Sequence, residues 1–184
     1  MTTTSDTILD LVKAALKPDA APYPTDAEGR VYRPGDWVTW DQQYPAIKLR
    51  LMSEEKTSLG RADIAFTVVS TVRVIAQVAA FASPDDGGAG DAEEALWRLQ
   101  RQIEVAVINS YPLTSKLQQF PFVRAVPGFS AEGEKHLAGI NIDIGCEFYQ
   151  GPEDFAPITA DDLTEVGVTF PGFPGLGADI PTDQ

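Results

Sequence analysis

The stretch from Ala62 to Val78 constrains the fold more than any other part of this sequence, because its apolar residues recur at alternate positions. The apolar set is Ile64, Phe66, Val68, Val72, Val74, Ala76 and Val78, and Thr67, Thr71, Arg73 and Gln77 lie between them. A period of two is typical of a β-strand with one buried face. Since strands usually have about five or six residues, this one should extend beyond the core sheet, bend at a bulge near Ser70, or pair outside its own domain.

The other face of this strand is only partly polar. Ala65, Val69 and Ile75 lie there among threonines and Arg73. Because apolar side chains gain free energy when they leave water, this face needs cover. We expect a helix to cover one end of it and a neighbouring subunit to cover the other.

Two amphipathic helices are predicted. The first is capped by Ser5 or Asp6, and its apolar residues follow a helical period: Ile8, Leu11, Val12, Ala15 and Leu16. The second starts at Asp91, where Glu94 completes a capping signature, and runs to about Asn109. Its core face consists of Leu96, Leu99, Ile103, Ala106 and Val107.

Three further strands are predicted, from Ala46 to Met52, from Phe122 to Val126 and from Leu137 to Tyr149. A charged loop from Ser53 to Arg61 follows the first of them, and a hairpin loop from Pro127 to His136 joins the other two. Helices and strands together predict an α+β fold, with a mixed, mainly antiparallel β-sheet flanked by two main helices.

Two segments are rich in proline. Residues 19–44 form a proline-rich N-terminal excursion, with a hairpin from Arg30 to Trp40 that turns at Pro34–Gly35. Prolines and glycines also mark residues 151–184 as an extended C-terminal arm, so residues 1–150 are predicted as the single domain. The arm is too apolar for an idle tail, and we expect it to dock on a neighbour through Val166, Val168, Phe170, Phe173, Leu176 and Ile180.

The charge balance excludes some classes of function. There are 27 acidic and 14 basic residues, a formal net charge of -13, so the average surface repels the phosphates of nucleic acids and anionic lipids. Cys146 is the only cysteine, which excludes an intrachain disulfide and, with its apolar neighbours, predicts a buried thiol. With neither a leader nor a membrane-spanning run, the protein is expected to be soluble and cytoplasmic in the cell that makes it.

No catalytic, cofactor-binding or metal-binding residues are predicted. His136, the only histidine, falls in a predicted loop ten positions from Cys146, and one cysteine with one histidine cannot form a zinc site. The glycine-rich residues 86–91 lack the lysine of a phosphate loop and are read as a solvated capping loop. Trp37 and Trp40 could stack on a sugar or a base, although a hairpin that packs on its own domain is the commoner explanation. We therefore expect a protein that is not an enzyme and needs no cofactor.

The second helix carries an additional apolar flank. Trp97 and Ile108 lie opposite its core face, beside Arg101 and Glu104. Such a stripe indicates either a partner surface or a place that the chain's own arms cover.

Four segments carry a resemblance to a known family: Pro45–Leu51, Arg61–Val69, Asp91–Leu99 with Ile103 and Val107, and Phe129–Glu134 before the last strand. In their order along about Ile8 to Tyr149, they resemble the tail terminator (tail completion) proteins of long-tailed bacteriophages. The excursion and the arm depart from the short members of that family, which leaves the roles of both segments open.

The resemblance implies a virion protein of the tail and neck region, assembled in the host cytoplasm. It implies a homohexameric ring that ends the tail tube and meets the head–tail connector or neck protein, with no membrane contact. DNA would pass through without sequence-specific binding, and an acidic channel lining would suit that passage, although acidity can also serve solubility alone. The candidate interface residues with other subunits or the tube protein are Glu54, Glu55, Lys56, Arg61, Trp97, Arg101, Ile108, Phe170 and Phe173.

Two alternatives remain at this point. The chain is either another tail or neck structural subunit, such as a tube or connector protein, or a cellular ligand-binding module. A tube subunit should polymerise, whereas a terminator stops at one ring.

Overall fold

A five-stranded mixed sheet organises the first of two units into which the chain divides, Met1–Asp154 and Phe155–Gln184. The computed structural model describes residues 2–33, 44–61, 64–81, 87–132, 135–156, 165–169 and 177–181. The strands of the sheet are β1 (Val31–Tyr32), β2 (Ala46–Ser58), β3 (Phe66–Phe81), β4 (Val123–Glu132) and β5 (Lys135–Gln150). They lie in the order β1-β2-β3-β5-β4, and only β1 and β2 pair in parallel. The predicted α+β fold with a mainly antiparallel sheet is confirmed.

Two main helices pack on one face of this sheet. Helix α1 (Ser5–Leu16) lies over β2 and β3, and α2 (Gly87–Ile108) lies over β3 and β5. A short helix, α3 (Tyr111–Thr114), and a 3-10 turn (Pro152–Phe155) complete the helical segments among the described residues.

Both predicted helix starts were wrong. Thr4 caps α1, because its Oγ1 accepts a hydrogen bond from the Thr7 backbone N–H at 3.2 Å, while Ser5 is buried in the first turn. Helix α2 begins at Gly87, so Asp91 lies within it rather than at its cap, and Gly87–Gly90 are helical rather than a solvated loop. Glycine disfavours helix, but tertiary packing overrides propensity: Gly88 and Ala92 are both buried in the fold.

Strand β3 follows the predicted alternation, with bounds shifted to Phe66–Phe81. It is paired inside its own domain, with β5 over its whole length and with β2 from Phe66 to Gln77. The strand extends without a bulge of its own, because the irregularity lies in β2, between Leu51 and Ser53. The suggested pairing outside the domain is therefore not required.

The predicted loops were too long at both hairpins. β2 runs through the expected charged loop to Ser58, and β4 and β5 run through the expected hairpin loop to Glu132 and from Lys135. His136 is therefore a strand residue paired with Ala131 and Ala80. Backbone hydrogen bonds between the strands hold the ends of these two hairpins. Because no apolar side chains are needed for that pairing, the sequence there does not alternate.

The core lies between the helices and one face of the sheet. The even-numbered residues of β3 from Val68 to Val78 and of β5 from Ala138 to Phe148 are buried there, Cys146 among them as predicted. They meet Ile8, Val12 and Leu16 of α1 and Leu96, Leu99, Ile103 and Val107 of α2. We call the other face of the sheet the open face.

The excursion is tied to α2 through Asp26. Its Oδ2 accepts a hydrogen bond from Arg98 Nε and its Oδ1 accepts one from Gln102 Nε2, both at 2.9 Å, while Ala27 is fully buried. The predicted hairpin turn at Pro34–Gly35 lies outside the described residues. The second unit contains an antiparallel hairpin, β6 (Glu165–Thr169) with β7 (Gly177–Pro181), and Phe170 and Phe173 lie outside the described residues.

Candidate subunit interface

Cys146 and His136, the only cysteine and histidine of the sequence, both lie on β5. The described residues contain no group of three or more His, Cys, Asp or Glu that could hold a metal ion. Burial raises the pKa of the Cys146 thiol to about 12, which removes it as a nucleophile. His136 and Cys146 are separated along β5 by about 33 Å of strand.

The first surface is the outer flank of α2, here called the helix flank: Glu93, Trp97, Arg101, Glu104 and Ile108. These residues recur at helical spacing and form one stripe. Trp97 is 44% exposed and Ile108 43%, and the Trp97 indole Nε1 donates a hydrogen bond to Glu93 Oε1 at 3.2 Å. A groove of about 220 Å³ crosses the stripe, lined by Arg101, Glu104, Val105, Ile108 and Asn109. The structure thus groups the three α2 residues predicted for an interface.

Strand β4, beside α2, carries further exposed apolar side chains. Because α2 packs over β3 and β5, the edge strand β4 is left with exposed apolar side chains on its helix side, namely Val123 and Phe129. A cleft of about 200 Å³ lies between the start of α2 and this strand, with Ala92, Phe129 and His136 in its lining.

The second surface is the open face, which carries a row of charges across four strands. Arg50, Arg73, Asp143 and Arg124 are direct neighbours in the register of β2, β3, β5 and β4, and we call them the arginine row. Arg73 donates to both carboxylate oxygens of Asp143, at 2.6 Å from Nε and 2.8 Å from Nη2. These bonds, helped by the charges of Arg73 and Arg124, lower the pKa of Asp143. Asp143 therefore lies between two arginines, Arg73 and Arg124.

A second charged row crosses the same face nearer the β2–β3 connection. Glu55 of β2, Val69 of β3 and Glu147 of β5 are direct neighbours, and we call them the glutamate row. Val69 lies four residues before Arg73, so the two rows are about 13 Å apart along the strand. The open face therefore has a basic band and an acidic band in fixed register.

The predicted residues near the β2–β3 connection are divided between the two faces. Glu54 accepts a hydrogen bond from Ser5 Oγ on the helix side, where Lys56 contacts Glu54 at 3.2 Å and donates to Gln150 Oε1 at 2.8 Å. The Ser5 bond, assisted by Lys56, lowers the pKa of Glu54. Glu54 and Lys56 thus stabilise the chain's own fold, whereas Glu55 lies on the open face.

Arg61 is the remaining described residue of the predicted interface set, and Glu132 is a further acidic residue, at the end of β4. Arg61 is exposed in the β2–β3 connection. Glu132 closes β4 opposite Lys135 and Phe81, whereas Glu54 pairs with Ser70, so the two acidic ends are separated by about 36 Å along β3.

The sequence-based prediction missed the arginine row. Each arginine stands on the polar parity of its strand, where a charge is ordinarily read as a solvated side chain. Their alignment depends on the cross-strand register, including the irregularity after Leu51, which no single segment shows. The sequence did show that Arg73 and Asp143 each lie at a position that faces away from the core, and this was its one indication of a charged cluster on that face.

The chain matches no protein-family model, and no curated protein matches it at a significant level. Within the described ranges, no helix combines the length and apolar character needed to cross a membrane.

Proposed function

We propose that this protein is a tail terminator of a long-tailed bacteriophage: a structural subunit that forms a closed ring, ends the tail tube, joins it to the head–tail connector and leaves a channel for DNA. The observation that carries the proposal is a pair of unlike, incompletely covered surfaces on one domain. The helix flank belongs to the helical layer, and the open face is the far side of the sheet.

Unlike surfaces on one subunit suit a ring. A two-fold dimer uses the same patch on both copies, whereas a ring needs one patch that meets a different patch on the next subunit. The helix flank mixes an aromatic and an aliphatic side chain with charges, and the open face mixes Val69 and Ile75 with two charged rows. Each has the composition of an interface rather than of a solvated surface.

The element order adds support from a different direction. The resemblance in sequence implies a mixed sheet flanked by helices, and an α+β domain of that kind is compatible with it. The acidic chain is also suited to a DNA channel, since carboxylates do not bind phosphate as basic side chains do.

The direct test is the mass of the purified protein by native mass spectrometry and sedimentation. We expect one closed species of about six times the subunit mass of 19.9 kDa, seen as rings by negative-stain electron microscopy. Ile108→Asp on the helix flank should shift the protein toward monomer, because a charge would enter an apolar contact. Tyr23→Asp is the matched control, since Tyr23 is similarly exposed (38%) in a turn beside Gly29.

Other outcomes would contradict the proposal. A protein that stays monomeric at every concentration and never joins tail tubes is not a ring subunit. Open-ended polymers would instead identify a tube subunit, and capture of a small ligand by a stable monomer would favour a ligand-binding module.

A further inference from the structure

Two charged side chains of the open face, Arg124 of β4 and Glu55 of β2, are exposed. Arg50 lies directly opposite Arg73 in the register of β2 and β3, so this part of the face is rich in guanidinium groups. Arg73 already uses both oxygens of Asp143, yet Arg124 stands on the other side of the same carboxylate. This concentration of arginines occurs in a chain with 14 basic and 27 acidic residues.

The apolar side chains around these charges would be more stable under a packed helix than in contact with water. Val69 and Ile75 lie on the open face of β3, on either side of Arg73, and Tyr149 of β5 is 45% exposed there. A sheet with apolar side chains on a second face is ordinarily covered by a further layer of helices. Among the described residues, both main helices lie on the opposite face.

The helix flank carries a charge pattern that matches the two rows. Glu93 and Arg101 are eight residues apart, which is about 12 Å along a helix. The arginine row and the glutamate row are about 13 Å apart along β3. A helix lying along the strand, with Glu93 over the arginine row, therefore brings Arg101 to Glu55 and Glu147.

The remaining residues of the helix flank agree with this placement. Trp97 is held by its hydrogen bond to Glu93, so a carboxylate and an aromatic ring are presented together, the combination that binds a guanidinium group well. Ile108 lies about 22 Å along the helix from Glu93, and Tyr149 lies about 20 Å along the sheet from the arginine row, which brings the two apolar side chains together.

We propose that the helix flank of one subunit packs on the open face of the next, with Glu93 on the arginine row and Arg101 on the glutamate row. This inference rests on the proposed ring and names the contact that closes it. The occupant of the open face is a second copy of this chain, because that copy carries the complementary spacing of charges.

Charge reversal tests each row separately. Arg124→Glu, Glu93→Arg, Glu55→Arg and Arg101→Glu should each raise the dissociation constant of the assembly by about tenfold or more, measured by sedimentation equilibrium. The double variants Arg124→Glu/Glu93→Arg and Glu55→Arg/Arg101→Glu should recover most of that loss, because each restores one opposite-charge contact. Lys116→Glu, an exposed charge reversal at the end of α3, is the matched control and should leave assembly unchanged.

The outcomes separate the contact from the ring. If the wild-type protein is a monomer, the proposed function fails and the contact with it. If the wild type forms rings that none of the single reversals weakens, the ring stands and the open face is covered by something other than a second copy. If the single reversals weaken the ring and neither double variant recovers it, the proposed pairing of helix flank and open face is overturned. Circular dichroism of every variant establishes that the fold is retained.

Discussion

At the scale of single residues, a group of hydrogen-bonded polar side chains joins the start of α1 to strands β2, β3 and β5. Ser5 and Ser70 are buried and hydrogen-bonded to each other, and since Ser5 donates its only hydroxyl proton to Glu54, Ser70 must donate to Ser5. Gln150 continues the network, because its Nε2 donates to the Thr3 carbonyl at 2.9 Å. Buried polar groups that are satisfied in this way fix one geometry between helix and sheet.

Glu54 should make the stability of the protein depend on pH. Its folded-state pKa is lowered, first by the Ser5 hydrogen bond, so the ionised carboxylate stabilises the fold above the ordinary glutamate pKa of about 4.3 and loses this effect as the pH falls through the folded value. Glu54→Gln should cost about 1 kcal/mol at pH 7, since a third of the side chain remains in water, and progressively less toward pH 3. Urea unfolding at both pH values measures the difference.

Glu55→Gln is the matched control for that comparison. It removes the neighbouring charge from the opposite face and leaves the Ser5 contact in place. An equal and equally pH-dependent cost for Glu55→Gln would show that net charge, rather than the Ser5 network, governs the effect.

At the scale of elements, the strands and helix faces that are buried in the core could be predicted from the sequence. Exposed strand segments that are held only by backbone hydrogen bonds could not. The alternation in β3 and β5 and the core faces of α1 and α2 were predicted correctly, because burial selects residue types. The outer half of β2, from Ser53 to Ser58, is exposed and held by its hairpin partner, so its composition is that of a loop. The helix flank was predicted because its spacing is local, whereas the arginine row requires a register between strands.

The residues just before β4, Pro121 and Phe122, pack against Gly145 of β5. A Cβ atom at Gly145 would lie 2.8 Å from the ring of Phe122, closer than such atoms approach in proteins, and Pro121 lies at 3.0 Å. Gly145→Ala should therefore destabilise the protein by about 1–3 kcal/mol in urea unfolding, as expected for overpacking.

Gly139→Ala on the same strand and face is the control. Its nearest atom would be the Ala76 carbonyl oxygen at 3.6 Å, an ordinary contact, so we expect a change within about 1 kcal/mol. In Gly145→Ala/Phe122→Ala the closest contact of the added methyl group is removed, so the double variant should cost less than the sum of the single changes. Additive costs would disprove the proposed clash.

At the scale of the whole molecule, the first unit contains its own core. The described core residues extend from Ile8 to Phe148, and the division between the units falls after Asp154. All the described core residues therefore belong to the first unit.

Removal of residues 155–184 should separate folding from assembly. We expect the truncated chain to unfold cooperatively in urea within about 0.5 kcal/mol of the full chain, because its described core is intact. We expect its ring to be weaker, since the predicted docking residues Phe170 and Phe173 are removed. Sedimentation equilibrium tests the second expectation, and an unchanged ring would refute a docking role for the arm.

The single cysteine gives this fold a built-in chemical reporter. Cys146 is fully buried opposite Ser70 in the central strand pair, and with a pKa of about 12 only about one thiol in ten thousand is ionised at pH 8. Cys146 faces the helical layer, so a thiol-specific reagent reaches it only when the core between the helices and strands β3 and β5 opens, and the reaction rate measures how often this happens. In an intact ring that rate should fall, because a neighbour bound to the open face and to the helix flank would hold the core closed. Assembly would then be measurable as slower alkylation of Cys146.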